Sequence, residues 1–286
     1  MMTPPSFAEI EVEGPDAGTF LHGQLANDVR SIEVGQWRYG SYCVADGRVQ
    51  ALLMIARPAA EHWRMLLPAD VATLVVGRLV RYRLRSRCVI VEKRVGLTLD
   101  AVAAATLARY QCSAFSLAVV PDSAVPMPAE FYRQQIELGI PWILAATSER
   151  YLPQMLGLQR LQAFSLRKGC FPGQEVVART HFLGRVKRRL VRLSTITAGA
   201  ALQAGAELCL HPGGAVAATV LLGSADQVGQ SLAVVGEDVV KGTVIELAGP
   251  GETATYVIDR DVIETLSDEV LNGRYHPPIQ RIAFPQ

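Results

Sequence analysis

The 286 residues predict an α+β protein: a first unit of antiparallel sheets with helices, then a small C-terminal β-barrel. Three observations carry this expectation. Strand-like and helix-like runs alternate through residues 1–184 without the regular strand–helix–strand period of a parallel sheet. Two β-rich runs, 38–44 and 48–56, meet at Asp46-Gly47, a hairpin signal because the glycine accepts the positive φ of a tight turn. Beyond Gly184, short β-compatible runs are separated by glycine and proline with no helical stretch, as in a small barrel or sandwich. With 50% hydrophobic and 19% charged residues, the chain can bury a sizeable core and leaves little room for long disorder.

Taken in order, residues 7–12 alternate apolar and polar side chains and predict a strand with one buried face. Gly14-Pro15-Asp16 ends it and starts a helix with Phe20, Leu21, Gln24 and Leu25 along one side. The Asp46-Gly47 hairpin follows, then a strand over 63–67. From Asp70, placed as N-cap, Val71, Leu74, Val75, Leu79 and Tyr82 recur at helical spacing. Two strands are expected over 87–92 and 94–99, a short alanine-rich helix over 101–110, and a helix over 130–138 ended by Gly139 and Pro141. The barrel strands fall near 186–193, 207–210, 215–222, 231–235 and 243–247. The division that results is 1–184 for the α+β unit, with a subdomain junction near the proline-marked 121–128, 185–265 for the barrel, and 266–286 for a tail that packs loosely or extends.

The formal net charge of +1 excludes a global field, so attraction for anions must come from local clusters. Two exist: Arg78, Arg81, Arg83, Arg85 and Arg87, and Arg179, Arg185, Lys187, Arg188, Arg189 and Arg192. Such faces suit ligands that carry several carboxylates, or the phosphates of RNA. Cys43, Cys88, Cys112, Cys170 and Cys209 are widely spaced with no CxxC, which argues against a disulfide framework or a self-contained metal site and for a reducing compartment. The start lacks the charged and apolar regions of a signal peptide, and no apolar run is long enough to span a bilayer; the expectation is a cytoplasmic protein without a membrane partner.

The chemistry concentrates at Lys168-Gly169-Cys170-Phe171-Pro172-Gly173-Gln174-Glu175. Gly169 and Gly173 permit backbone angles closed to other residues and Pro172 fixes its own, so the cysteine sits on a stiff turn. With Pro172 as first residue of a helix, Cys170 lies just before its positive end beside Arg167 and Lys168, and both effects favour thiolate. Gln174 and Glu175 are expected to anchor the loop by hydrogen bonds. This stretch, with Val177-Ala178-Arg179 and Gly184-Arg185-Val186-Lys187-Arg188 after it, resembles the signature of the YgfZ-type folate-binding proteins, relatives of the glycine-cleavage T-protein. That pattern usually has tyrosine in place of Phe171. The segments 20–29, 42–49, 136–141 and 152–154 resemble further landmarks of the same proteins in the same order.

The resemblance implies a T-protein-like fold whose first unit binds tetrahydrofolate or a one-carbon derivative. Glu137 then matches the glutamate that grips the pterin ring, for which a carboxylate offers the two acceptors needed. Phe7 and Phe131 stand where some relatives have tryptophans beside folate, and Arg185 belongs to the cluster suited to the folate tail. Gln50 and Ala51 replace the paired aspartates of aminomethyltransferases, so authentic aminomethyl transfer is not expected. The implied role is support of iron–sulfur cluster assembly or repair through client or assembly proteins, with an indirect effect on tRNA modification, and with Cys170 and Lys168 as the reactive pair. The other readings are a folate-dependent aminomethyltransferase, an RNA-binding tRNA-modification factor, and a thiol hydrolase pairing Cys170 with His181.

Overall fold

The computed structural model describes residues 5–100, 105–121, 128–197, 202–212, 214–223, 229–247, 254–262 and 280–283. The first unit runs β1 (Phe7–Glu13), α1 (Ala17–Gln24), β2 (Trp37–Cys43), β3 (Val49–Ala59), β4 (His62–Pro68), α2 (Ala69–Arg83), β5 (Val89–Thr98), β6 (Ala108–Gln111), β7 (Ser116–Pro121), α3 (Ala129–Glu137) and α4 (Gln174–Leu183). The second has β8 (Arg188–Thr197), β9 (Glu207–Leu210), β10 (Val216–Leu222), β11 (Gln230–Gly236), β12 (Val244–Leu247) and β13 (Ala254–Asp261), and β14 (Arg281–Ala283) follows. The α+β unit followed by a barrel is therefore as the sequence predicts.

An antiparallel eight-stranded sheet, in the order β14-β6-β7-β5-β1-β4-β3-β2, organises the first unit. Alternation along each strand divides its side chains between two cores. Ala8, Ile10, Val12, Leu53, Ile55, Met65 and Leu67 face α1 and α2, where they meet Leu21, Val71, Val75 and Leu79. Phe7, Leu52, Met54 and Leu66 belong to the other core with Trp37, Phe131 and Trp142. β1 is thus buried on both faces, not one: its polar positions include Glu9, which is fully buried in the middle of the sheet.

Several local expectations change for identifiable reasons. Residues 89–98 form one strand, because Lys93 and Arg94 stay in register with Glu9 and Ala8 and the charged pair does not break the ladder. Ala108 and Tyr110 are strand residues buried against the sheet, where pairing with β7 overrides alanine's helical preference; residues 101–104 lie outside the described residues. In α2 the residue before the helix is Pro68, and the Asp70 carboxylate accepts the Ala145 N–H at 2.8 Å instead of capping. Leu74 and Tyr82 of that helix are exposed. At the other end of the chain, residues 280–283 are not loose. β14 pairs with β6, while Gln280 O accepts the Trp37 N–H and Ile282 N–H donates to Gly35 O, so this segment also joins the sheet's opposite edge near β2.

The second unit is a closed barrel in the order β10-β11-β8-β13-β12-β9. Inside are Val191, Val235, Val220, Ile245 and Ile258. Their strand neighbours Leu190 and Val234 point outward and join the core containing Phe131 and Trp142, so the barrel docks on the first unit through its wall. β13 is the strand the sequence reading omits, although Ala254, Tyr256 and Ile258 alternate into the interior.

Glu9 carries the main electrostatic cost of the sheet. The Arg64 guanidinium lies 3.0 Å from it but also 2.9 Å from Glu11, which in turn holds Lys93 at 2.6 Å. Burial outweighs the shared guanidinium and pushes the Glu9 carboxyl up to about 7. A carboxyl raised in the folded state stabilises it most below the unfolded value of 4.5, and that contribution is lost as pH climbs through about 7. Chemical denaturation across this window should show wild type losing on the order of 3 kcal/mol relative to Glu9→Gln. Parallel pH profiles for the two proteins would refute the assignment.

Candidate functional site

The cysteine loop is built from three distant stretches that meet at one place. α1 ends at Gln24 with Leu25 as its cap, leaving carbonyls without helical partners. The buried Lys168 ammonium donates to two of them, His22 O and Leu25 O, the latter at 2.7 Å. The His22 ring returns the contact, with Nε2 2.8 Å from Lys168 O and Nδ1 3.3 Å from Asp28 Oδ1. Two residues beyond the helix, Ala26 N–H donates to Ser41 O of β2 and Ala26 O accepts the Ser165 N–H, both at 2.8 Å. Ser41 Oγ donates to Ala163 O, tying β2 to the approach of the loop.

On the far side of Cys170 the loop is held by backbone packing. Gln174 N–H donates to Phe171 O at 3.1 Å, and Gly173 has φ 78° and ψ 6°, the third position of a type II turn with Pro172 at the second. A side chain on Gly173 would overlap Val44 O and the backbone of Gly47, the hairpin glycine, whose own φ is 79°. The two glycines lie back to back. Gln154 Nε2 then donates to Val177 O at 2.7 Å, fastening α4. Segments 20–29, 42–49 and 152–154, matched separately in the sequence, are all part of this one clamp.

Between these anchors Cys170 is exposed, alone among the five cysteines in being so. Phe171 is buried in the core, with the Lys168 ammonium 5.3 Å from its ring centre. Cys43, by contrast, is sealed in the core, where burial pushes its thiol up to about 12. Three details differ from expectation. The helix starts at Gln174, so Phe171, Pro172 and Gly173 separate Cys170 from it. Lys168 faces the α1 carbonyls; burial pulls its ammonium down to about 8, opposed by Asp28 and, less strongly, by Cys170. Gln174 and exposed Glu175 make no side-chain hydrogen bond among the described residues, and the anchoring falls to Lys168, Gln154 and the paired glycines.

A cavity of about 480 Å³ lies at α3, lined by Leu99, Phe115, Ser116, Glu130, Arg133, Gln134 and Glu137. Its size suits a small-molecule ligand. Glu137 is exposed on the wall, and Arg133, one turn earlier, adds a cation. Phe131 is buried behind the wall, 5.3 Å edge-on from Phe115. Phe7 is buried too, edge-on to Trp142 at 5.1 Å. The cysteine loop is not part of this wall, so Cys170 and Glu137 are separate features rather than one pocket. Arg185 lies apart from both, paired with Glu237 at 2.9 Å.

Gln50 is buried and donates through Nε2 to Glu149 Oε1 at 2.6 Å, while Arg78 reaches the same oxygen at 2.9 Å. Ala51 points to the opposite face, among the residues packed on α1 and α2. Sequence reasoning missed Glu149, Phe115 and Arg133; the positive φ of Glu149 and the contribution of β7 to the cavity have no local signature. His181 stands in the last turn of α4, about 10 Å along the helix axis from its first residue, Gln174, and its ring meets Phe182. Among the described residues no group of three or more His, Cys, Asp or Glu side chains could hold a metal ion, and no helix is long and apolar enough to cross a membrane.

An eight-stranded antiparallel sheet with flanking helices, joined to a six-stranded barrel, is the T-protein-like fold. The glycine cleavage system aminomethyltransferase T from Bartonella henselae superposes with a TM-score of 0.67 over 90% of this chain and 86% of that one, at 16% identity. In sequence the chain resembles the YgfZ-type proteins. It is 28% identical over 224 residues to the tRNA-modifying protein YgfZ of Edwardsiella ictaluri, covering 63% of this chain and 66% of that protein. Identity is 27% over 259 residues with the protein of the same description from Klebsiella pneumoniae, covering 74% and 76%. No protein-family model matches.

The two loop glycines should respond differently to alanine. Gly173→Ala meets both a backbone clash and a positive φ and should lower stability by about 3 kcal/mol or more. Gly169 has φ 100° but nothing within 4 Å of an added Cβ, so Gly169→Ala should cost only about 1–2 kcal/mol. Thermal unfolding measures both, and equal losses would contradict the back-to-back packing.

Proposed function

We propose that this chain is a tetrahydrofolate-binding accessory protein that supports iron–sulfur cluster assembly or repair and, through client enzymes, tRNA modification. The observation that carries the reading is the exposed Cys170 on a loop fixed at both ends by buried contacts. A single thiolate cannot hold a cluster, so Cys170 acts with ligands from a partner or on a group in transit. The curated relatives described as tRNA-modifying proteins support the link to tRNA, and the aminomethyltransferase-like fold supports folate.

The α3 cavity fits a folate in chemical terms. Glu137 offers carboxylate oxygens to the pterin amino group and ring N–H, Phe115 offers an apolar surface, and Arg133 can meet a glutamate carboxylate. The bound folate would supply one-carbon chemistry. Gln50 remains a neutral amide donor at the position of an aspartate, which favours binding over aminomethyl transfer.

Calorimetric titration with tetrahydrofolate should show saturable binding to wild type and at least tenfold weaker binding to Glu137→Ala, the loss expected for a charge-assisted hydrogen-bond pair. Absence of heat with wild type would remove the folate reading, and an unchanged variant would remove Glu137 from it. Independently, Cys170→Ser should unfold at the wild-type temperature yet fail to support iron–sulfur enzyme activity in cells lacking the protein. Full support by the variant would reject the role of the thiol.

A further inference from the structure

We propose that the C-terminal end of α4 and the strand it leads into form a docking surface for single-stranded RNA. This goes beyond the reading above, in which RNA is reached only through a client enzyme, and it does not require folate.

Two large apolar side chains stand in solvent at this end of the helix, Phe182 at 71% and Leu183 at 85% exposure. The His181 and Phe182 rings meet edge-on, 4.9 Å apart. Arg179 lies three and four residues before Phe182 and Leu183, on the same side of the helix. Beyond Gly184 the chain continues into exposed Lys187 and Arg188. Arg179, Lys187 and Arg188 have no carboxylate partner among the described residues, whereas nearby Arg185 is already paired with Glu237.

A second copy of the chain is a poor occupant, since a two-fold contact would set these cations against themselves. The occupant must be anionic and must also cover a flat ring. Single-stranded RNA meets both demands, with phosphates on the cations and an unpaired base on Phe182. A duplex meets only the first, because its bases are stacked on each other. The net charge of +1 adds no general attraction, so any binding reports this local patch.

Anisotropy with a fluorescein-labelled oligouridylate should show saturable binding that weakens steeply with salt. Lys187→Ala with Arg188→Ala should reduce the slope of log affinity against log salt by roughly 0.7 per cation removed. Phe182→Ala should weaken binding about tenfold with little change in slope, as expected for loss of one stacking contact. Tetrahydrofolate titration of Phe182→Ala should match wild type, which separates this surface from the folate site. No binding at low salt, or wild-type affinity in Phe182→Ala, would overturn the proposal. Displacement of the RNA by polyglutamate at matched charge would overturn it too, by assigning the patch to an acidic protein surface.

Discussion

Where Gly173 meets Gly47, two backbones run closer than any pair of side chains would allow, and the rest of the site is arranged around that approach. The hairpin belongs to the large sheet and the loop to the start of α4, so the contact transmits the rigidity of the sheet to the cysteine. On the other side Lys168 crosses to the end of α1 and satisfies carbonyls that would otherwise be buried without donors. A buried ammonium is costly unless so surrounded, and the carbonyls offset that cost without adding a second charge. Cys170 can therefore be exposed without being mobile, which is an uncommon combination for a loop residue.

The α3 cavity rests on different supports. Its charged wall comes from one helix and its apolar wall from Leu99 and Phe115, which flank the end of β5 and the start of β7, held by the core that also receives the outside of the barrel. The barrel thus acts as a buttress behind α3 through Leu190 and Val234. The chemistry of the two sites differs correspondingly: one is a hollow with a carboxylate and a guanidinium, the other a single sulfur on a stiff arm.

Much of this was legible in residue order. The Asp46-Gly47 hairpin, the long helix after residue 68 and five barrel strands follow from local turn chemistry and periodicity, which act over a few residues. The motif glycines were legible as positions of positive φ, and both have it. What periodicity could not reveal was the environment of polar strand residues: Glu9 reads as a solvent-facing position until its sheet acquires a second layer. Nor could it reveal direction. Lys168 is adjacent to Cys170 in sequence, yet its four-carbon stem carries the charge to a helix more than a hundred residues earlier. The break at Lys93-Arg94 misled for the opposite reason, since a charged pair at the solvent-facing part of a strand does not prevent backbone pairing.

β14 gives the fold an order of assembly. Its three residues complete the edge of a sheet whose first strand begins at Phe7, with the entire barrel lying between them in the chain. During synthesis the ribosome releases the first unit's helices and seven strands long before the eighth, and β6 waits with one unpaired edge until residue 283 emerges. The barrel takes its six strands from one contiguous stretch, so its closure needs nothing from residues 281–283, whereas the sheet of the amino-terminal unit is whole only with them.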